Sequence, residues 1–129
     1  MGDYINNKNK ISEAELEIMK IVWERQEAVA SSDIVGILKK RCGWEDTTIY
    51  TMLSKLVKKG ALLREKKAVS YYSAVLSEDE YTLEQTERLI DRLFSGDSRQ
   101  LVSMLVENNK ISREDIHSLR QFWEDETDD

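Results

Sequence analysis

The chain has 129 residues, 40% apolar and 34% charged, with one cysteine, no proline and a formal net charge of −6. That suits one domain, or one small domain with an extension, with enough apolar content for a packed core and no apolar run long enough to span a membrane. No stretch has the charged, apolar and small-residue succession of a secretory signal, and Cys42 lacks a partner for an internal disulfide, so the expected compartment is the reducing cytoplasm.

Residues 1–10 are polar and without periodicity, as expected of a mobile arm, with Lys8 and Lys10 its candidate partner contacts. Ser12 and Glu15 have capping-box spacing, and Ile11 with Leu16 supplies the matching hydrophobic staple. A first helix therefore runs from there to about Arg25, burying Leu16, Met19, Val22 and Trp23. Ala28–Ala30 is a candidate edge strand. A second helix from Ser31 to about Cys42-Gly43 buries Ile34, Ile37 and Leu38. Lys39, Lys40 and Arg41 suit the negative end of its dipole and are candidates for a backbone contact.

The third helix, Glu45–Lys59, carries the clearest pattern. Ile49, Met52, Leu53, Leu56 and Val57 form one apolar stripe, and at 100° per residue Thr47, Thr51, Ser54 and Lys58 fall opposite it, flanked by Tyr50 and Lys55. Gly60 stops the helix. Two alternating runs follow, Ala61–Glu65 and Val69–Ala74, around a tip at Lys66-Lys67-Ala68. Three helices and a hairpin within residues 11–75 read as a winged helix-turn-helix. Its third helix presents hydroxyls and ammonium groups to a DNA major groove. Thr51 and Ser54 suit base edges or a thymine methyl, Tyr50 the sugar-phosphate edge or a base methyl, and Lys55 and Lys58 phosphates. Lys66 and Lys67 are either a phosphate clamp or a mobile charged turn. All of these are also what a plain solvated surface would contain.

Tyr71 and Tyr72 point to opposite faces of their strand, one into the core. Trp23 and Trp44 read as packing residues, with a backbone contact the alternative for Trp44 just before the third helix, and Cys42 as a small apolar filler. Local charge agrees with a DNA-facing head despite the acidic total. Residues 28–75 hold 9 basic and 4 acidic groups, whereas residues 76–129 hold 6 and 15.

Residues 76–124 repeat the helix-start signal. Ser77 with Glu80 and the Leu76/Tyr81 staple open a fourth helix to about Phe94; Gly96 breaks it. A fifth, Ser98–Asn108, has Leu101, Val102, Leu105 and Val106 along one side. Ser112 with Asp115 and the Ile111/Ile116 staple open a sixth, with Leu119, Phe122 and Trp123. Residues 125–129 form an acidic tail that is expected to fray. No further element within the chain covers these apolar stripes. A second copy would, through Leu89, Leu93, Leu101, Val102, Leu105, Val106, Ile116, Leu119 and Trp123; folding back on the first helix is the monomeric alternative.

Several segments together resemble the penicillinase-repressor family, which includes β-lactamase and methicillin-resistance repressors and copper-responsive CopY-type repressors. They are ISEAELEIMKIVW, GWEDTTIYTMLSKLVKKGAL, YYS, EDEY, LIDRLFSG and LVENNKISREDI, in that order and spacing, from Ile11 to Trp123. The resemblance implies a homodimeric repressor, an N-terminal winged helix with C-terminal dimerisation helices, and an inverted-repeat operator of the TACA…TGTA kind before resistance genes. It carries DNA contact to Thr51 and Lys55. The chain departs from the family at Glu45-Asp46-Thr47-Thr48, where relatives have a Ser-Pro-Lys-Thr type of start, and at Tyr50, where they are often basic. The cysteine-rich metal hook of CopY-type members is missing, so no metal or cofactor is expected. Where a sensor-linked protease cuts an Asn-Phe bond in β-lactam-responsive members, this chain has Met104-Leu105, the candidate cleavage position.

Catalysis has little basis. His117 is the sole histidine, which leaves no Ser-His-Asp or Cys-His set within one chain, and Glu114 with His117 reads as a surface pair. The expected partners are operator duplex DNA and a second copy, and no membrane. A winged-helix module that binds protein instead of DNA is the alternative.

Overall fold

The computed structural model describes residues 10–127. The expected arm over residues 1–9, Lys8 included, and the last two residues of the acidic tail, Asp128 and Asp129, lie outside the described residues.

Helix α1 (Glu13–Arg25) starts at the capping box: the Ser12 hydroxyl accepts from the Glu15 amide at 3.1 Å, and the Glu15 carboxylate accepts from the Ser12 amide at 2.9 Å. Its buried row is Glu15, Ile18, Met19, Ile21 and Val22. Leu16 and Trp23 flank this row half-buried, so the stripe is centred one step away from where Leu16 and Trp23 would put it. The Trp23 indole N–H donates to the Leu76 carbonyl at 2.8 Å, and its ring lies 6.0 Å from that of Tyr81. A buried indole needs such an acceptor for its one donor.

Strand β1 (Val29–Ala30) precedes α2 (Ser31–Cys42), which ends where Gly43 takes a left-handed φ of 70°. Ile34, Val35 and Leu38 are buried, and Ile37 sits at the stripe's edge. Helix α3 (Asp46–Lys58) follows after a short turn and buries Ile49, Met52, Leu53 and Leu56. It closes in a Schellman motif. The Gly60 amide donates to the Val57 carbonyl and the Ala61 amide to the Leu56 carbonyl, both at 3.0 Å, with Gly60 at φ 81°.

That closure shifts the hairpin by one residue. The Ala61 amide is spent on the helix, and its carbonyl accepts from Val75 (2.9 Å) and Leu76 (3.2 Å). Strand β2 therefore starts at Leu62 and runs to Lys66, β3 spans Ser70–Ala74, and Lys66 pairs with Ser70. The tip is Lys67-Ala68-Val69, not Lys66-Lys67-Ala68. The sheet is antiparallel in the order β1-β3-β2, with Val29 opposite Tyr72, so the two-residue β1 is an edge strand to the hairpin. Tyr72 is buried and Tyr71 half-buried, on opposite faces.

The core of this first compact unit, which reaches to Glu84, joins α1, α2, α3 and the sheet through Ile18, Met19, Ile34, Leu38, Ile49, Leu53, Leu56 and Tyr72. Each such side chain stabilises the fold by about 1.5–3 kcal/mol on burial.

One charge enters that core. Glu15 is 2% exposed and paired with the Lys59 ammonium. Burial pushes its carboxyl up, but hydrogen bonds from Lys59 and the Ser12 amide, together with the Lys59 charge, bring it net below the ordinary glutamate value. A carboxyl depressed on folding contributes stability above its unfolded value, and that contribution is lost as pH falls through the folded value. The gap in unfolding free energy between wild type and Glu15→Gln is thus expected to narrow between about pH 7 and about pH 3 in urea titrations. A gap that stays constant would show that Glu15 is not ionised in the fold.

The second unit begins at Gln85, within α4 (Glu78–Phe94), and continues through α5 (Ser98–Glu107) and α6 (Arg113–Thr127). Asp97 caps α5 by accepting from the Arg99 amide at 3.0 Å. Asn109, at φ 61°, ends α5 as a glycine would, with the Lys110 amide donating to the Leu105 carbonyl at 2.8 Å. Ser112 and Asp115 form a reciprocal cap at 2.9 and 3.0 Å that holds the Asp115 carboxyl below its usual range. Helix α6 runs past Trp123 to Thr127, where fraying was expected; Glu124 pairs with Arg120 one turn back. No residue of α4 or α5 is buried, and α6 is exposed from Arg113 through Glu126. Among the described residues no helix is long and apolar enough to cross a membrane.

Candidate nucleic-acid interface

The buried stripe of α3 fixes what its other side shows. Thr47, Tyr50, Thr51, Ser54, Lys55 and Lys58 are all exposed, so these sequence-chosen residues share one accessible helix surface. Thr47, Thr48, Thr51, Met52 and Lys55 line a shallow depression of about 260 Å³ on it. The Thr51 hydroxyl donates to the Thr47 carbonyl at 2.8 Å, so what it offers outward is an acceptor lone pair and a methyl group. That chemistry suits an amino group or a thymine methyl on a base edge.

The start of α3 carries a feature that the sequence did not disclose. Asp46 pairs with Lys39 at 2.9 Å, both side chains about half exposed, and this carboxylate raises the Lys39 ammonium above its usual value. One of the two acids at this helix start, Asp46, is thereby paired across the α2–α3 turn, while Glu45 is exposed. For Lys39 the sequence pointed to the dipole at the end of α2 or a backbone contact, not to a partner on α3.

On the wing, Lys66 is exposed as the last residue of β2, and Lys67 at the tip lies 5.7 Å from the Tyr71 ring centroid. The ring holds that ammonium against the hairpin without consuming its hydrogen-bond donors. Lys59, by contrast, is turned into the fold, where it meets Glu15 and donates to the Lys10 carbonyl at 2.7 Å. Lys10 is thus engaged through its backbone. Glu15 and Lys59 are 44 positions apart, and no local pattern links them.

In the second unit the side chains chosen for self-association are uncovered to different degrees. Leu93, Val102, Val106, Ile116, Leu119 and Trp123 are exposed, as are Met104 and Phe122, while Leu89, Leu101 and Leu105 are half-buried. The Met104 carbonyl, part of the Met104–Leu105 peptide, accepts from both the backbone and the side-chain amide of Asn108 at 3.1 and 2.8 Å. Cutting that bond requires opening the last turn of α5. Glu114 and His117 are both exposed on α6.

A family model described as penicillinase repressor matches residues 11–125. The chain is 33% identical over 117 residues to a penicillinase repressor of Bacillus licheniformis, covering 90% of this chain and 91% of that protein. It is 34% identical over 119 residues to the methicillin resistance regulatory protein MecI of Mammaliicoccus sciuri, covering 91% and 95%. The solution structure of the DNA-binding domain of the repressor BlaI superposes with a TM-score of 0.52 at 38% identity, covering 57% of this chain and 89% of that domain. The winged-helix unit thus has a counterpart in a solved repressor domain, and the chain belongs to the penicillinase-repressor family, whose members are DNA-binding transcriptional repressors and not enzymes.

Proposed function

We propose that this chain represses transcription as a homodimer on an inverted-repeat operator, with α3 of each copy in a major groove and the wing against flanking phosphates. The observation that carries this reading is the exposed row Thr47, Thr51, Ser54 and Lys58, flanked by Tyr50 and Lys55 and opposite the buried stripe of α3. Lys55, Lys58, Lys66 and Lys67 would neutralise phosphates, while Thr47, Tyr50, Thr51 and Ser54 face the bases. The uncovered apolar side chains of α4–α6 support pairing of two copies, which would link two half-sites. The acidic charge of residues 76–129 suits a pairing region held off the DNA backbone. Family membership points to genes of the β-lactam resistance type. Release follows if the pairing region is cut, with Met104–Leu105 the candidate bond for a sensor-linked protease, or otherwise disrupted, because a lone copy loses the linkage between half-sites.

Titration of duplex DNA at several salt concentrations tests the interface. Lys55→Ala and Lys58→Ala are each expected to weaken binding and reduce the slope of log K against log salt by about one unit. An unchanged slope removes that lysine from the phosphate contacts. Wild-type protein that shows no salt-dependent binding to any duplex would make the winged helix a protein-binding module.

A further inference from the structure

The pair formed by Glu15 and Lys59 joins two elements that the apolar core alone would hold less definitely. Glu15 lies in the first turn of α1, and Lys59 caps the C-terminal end of α3. The Lys59 ammonium donates to Glu15 Oε1, which also accepts from the Ser12 amide, and to the Lys10 carbonyl, while its side chain is only 18% exposed. With its donors turned inward, Lys59 is poorly placed for a phosphate, although it adjoins Lys58 on the exposed face. Buried ion pairs of this kind add little net stability over apolar packing, because desolvation offsets attraction. What they restrict is geometry. Apolar side chains such as Leu53 and Leu56 tolerate small slips of one helix on another, and packed cores lose uniqueness before they lose stability. A buried carboxylate and ammonium have one arrangement in which neither is stranded.

We propose that Glu15 and Lys59 are positioning residues for DNA reading: they fix the rotation and axial placement of α3 on α1, and thereby set operator discrimination more than overall DNA affinity. This rests on the reading of the Thr47–Lys58 surface as the DNA face. Contacts to base edges depend on direction and on short distances, whereas flexible lysines reach phosphates from a range of helix positions. Loosening α3 therefore weakens base readout while leaving the phosphate contribution in place.

The test uses the full chain and an operator duplex selected from random sequences by the wild-type protein. Lys59→Met alone strands a buried carboxylate and risks unfolding, so the informative variant is Glu15→Gln with Lys59→Met, which keeps the amide acceptor for Ser12 and removes both charges. Its affinity for operator relative to random duplex is expected to fall about tenfold or more, the loss of roughly one good base contact. Its random-duplex affinity, salt slope and cooperative unfolding should stay near wild type, and Lys59→Arg should retain the wild-type ratio. An unchanged ratio in the double variant overturns the proposal and leaves the pair a structural one. A salt slope reduced by about one unit also overturns it, by making Lys59 a phosphate ligand. A wild-type chain that prefers no sequence over random duplex overturns the DNA-face reading itself, and this proposal with it.

Discussion

Leu119→Asp is expected to leave the chain folded and, in the proposed homodimer, to separate the two copies and lower affinity for the proposed inverted-repeat operator by about a hundred- to ten-thousandfold. Leu119 is 62% exposed on α6, in one helical row with Ile116 and Trp123, which are also exposed. A carboxylate there meets water in the single chain and costs that chain little. In a paired interface the same carboxylate would be desolvated without a partner, which is strongly unfavourable. Half-operator binding depends on one winged helix and should be unchanged. The full operator should lose what linkage supplies, because the second winged helix no longer arrives at millimolar effective concentration. Sedimentation equilibrium, with titration of full and half operator at one salt concentration, separates these effects. An intact dimer of Leu119→Asp would move the pairing surface away from this face of α6, and monomers with undiminished affinity for the full operator would remove dimerisation from the mechanism.

Local chemistry was legible in the sequence; encounters between distant residues were not. The serines at 12 and 112 announce their helices because a capping box needs only a hydroxyl and an acid three residues on, and both boxes are formed. Gly60 reads correctly as a stop, since few other residues accept φ 81°. The hairpin slipped by one residue because Ala61 looks like the first member of an alternating strand, yet the Schellman closure of α3 had already claimed its amide. The row on α1 was displaced because Glu15, an acid, takes a core position that apolar counting assigns to Leu16. Its partner Lys59 lies in a run of lysines that reads as surface. The Lys39–Asp46 pair spans a turn, and only the fold shows that one of the two acids at the start of α3 has a cationic partner. The α4–α6 stripes were legible as uncovered because no segment remained to cover them, and their residues are half-buried or exposed.

Two adjacent residues on α3 should separate folding from reading. Leu53 is fully buried and Ser54 exposed, so the helix puts consecutive side chains into different surroundings. Leu53→Ala removes buried methyl groups and leaves a cavity, at an expected cost of about 2–5 kcal/mol. A unit this small has a total stability of only about 5–10 kcal/mol, so that loss takes a large share of it. The urea midpoint should fall with little change in slope, and operator duplex should restore part of it by binding only the folded form. Ser54→Ala should change stability by less than about 0.5 kcal/mol, because its side chain faces solvent. It should nevertheless lower operator affinity relative to random duplex, since in the proposed docking of α3 a hydroxyl facing the groove is lost. If Ser54→Ala leaves that preference intact, the face contacts DNA without reading it there. If Leu53→Ala leaves the midpoint unmoved, the stripe that orients α3 is not the one that holds the fold together, and the exposed row loses its geometric basis.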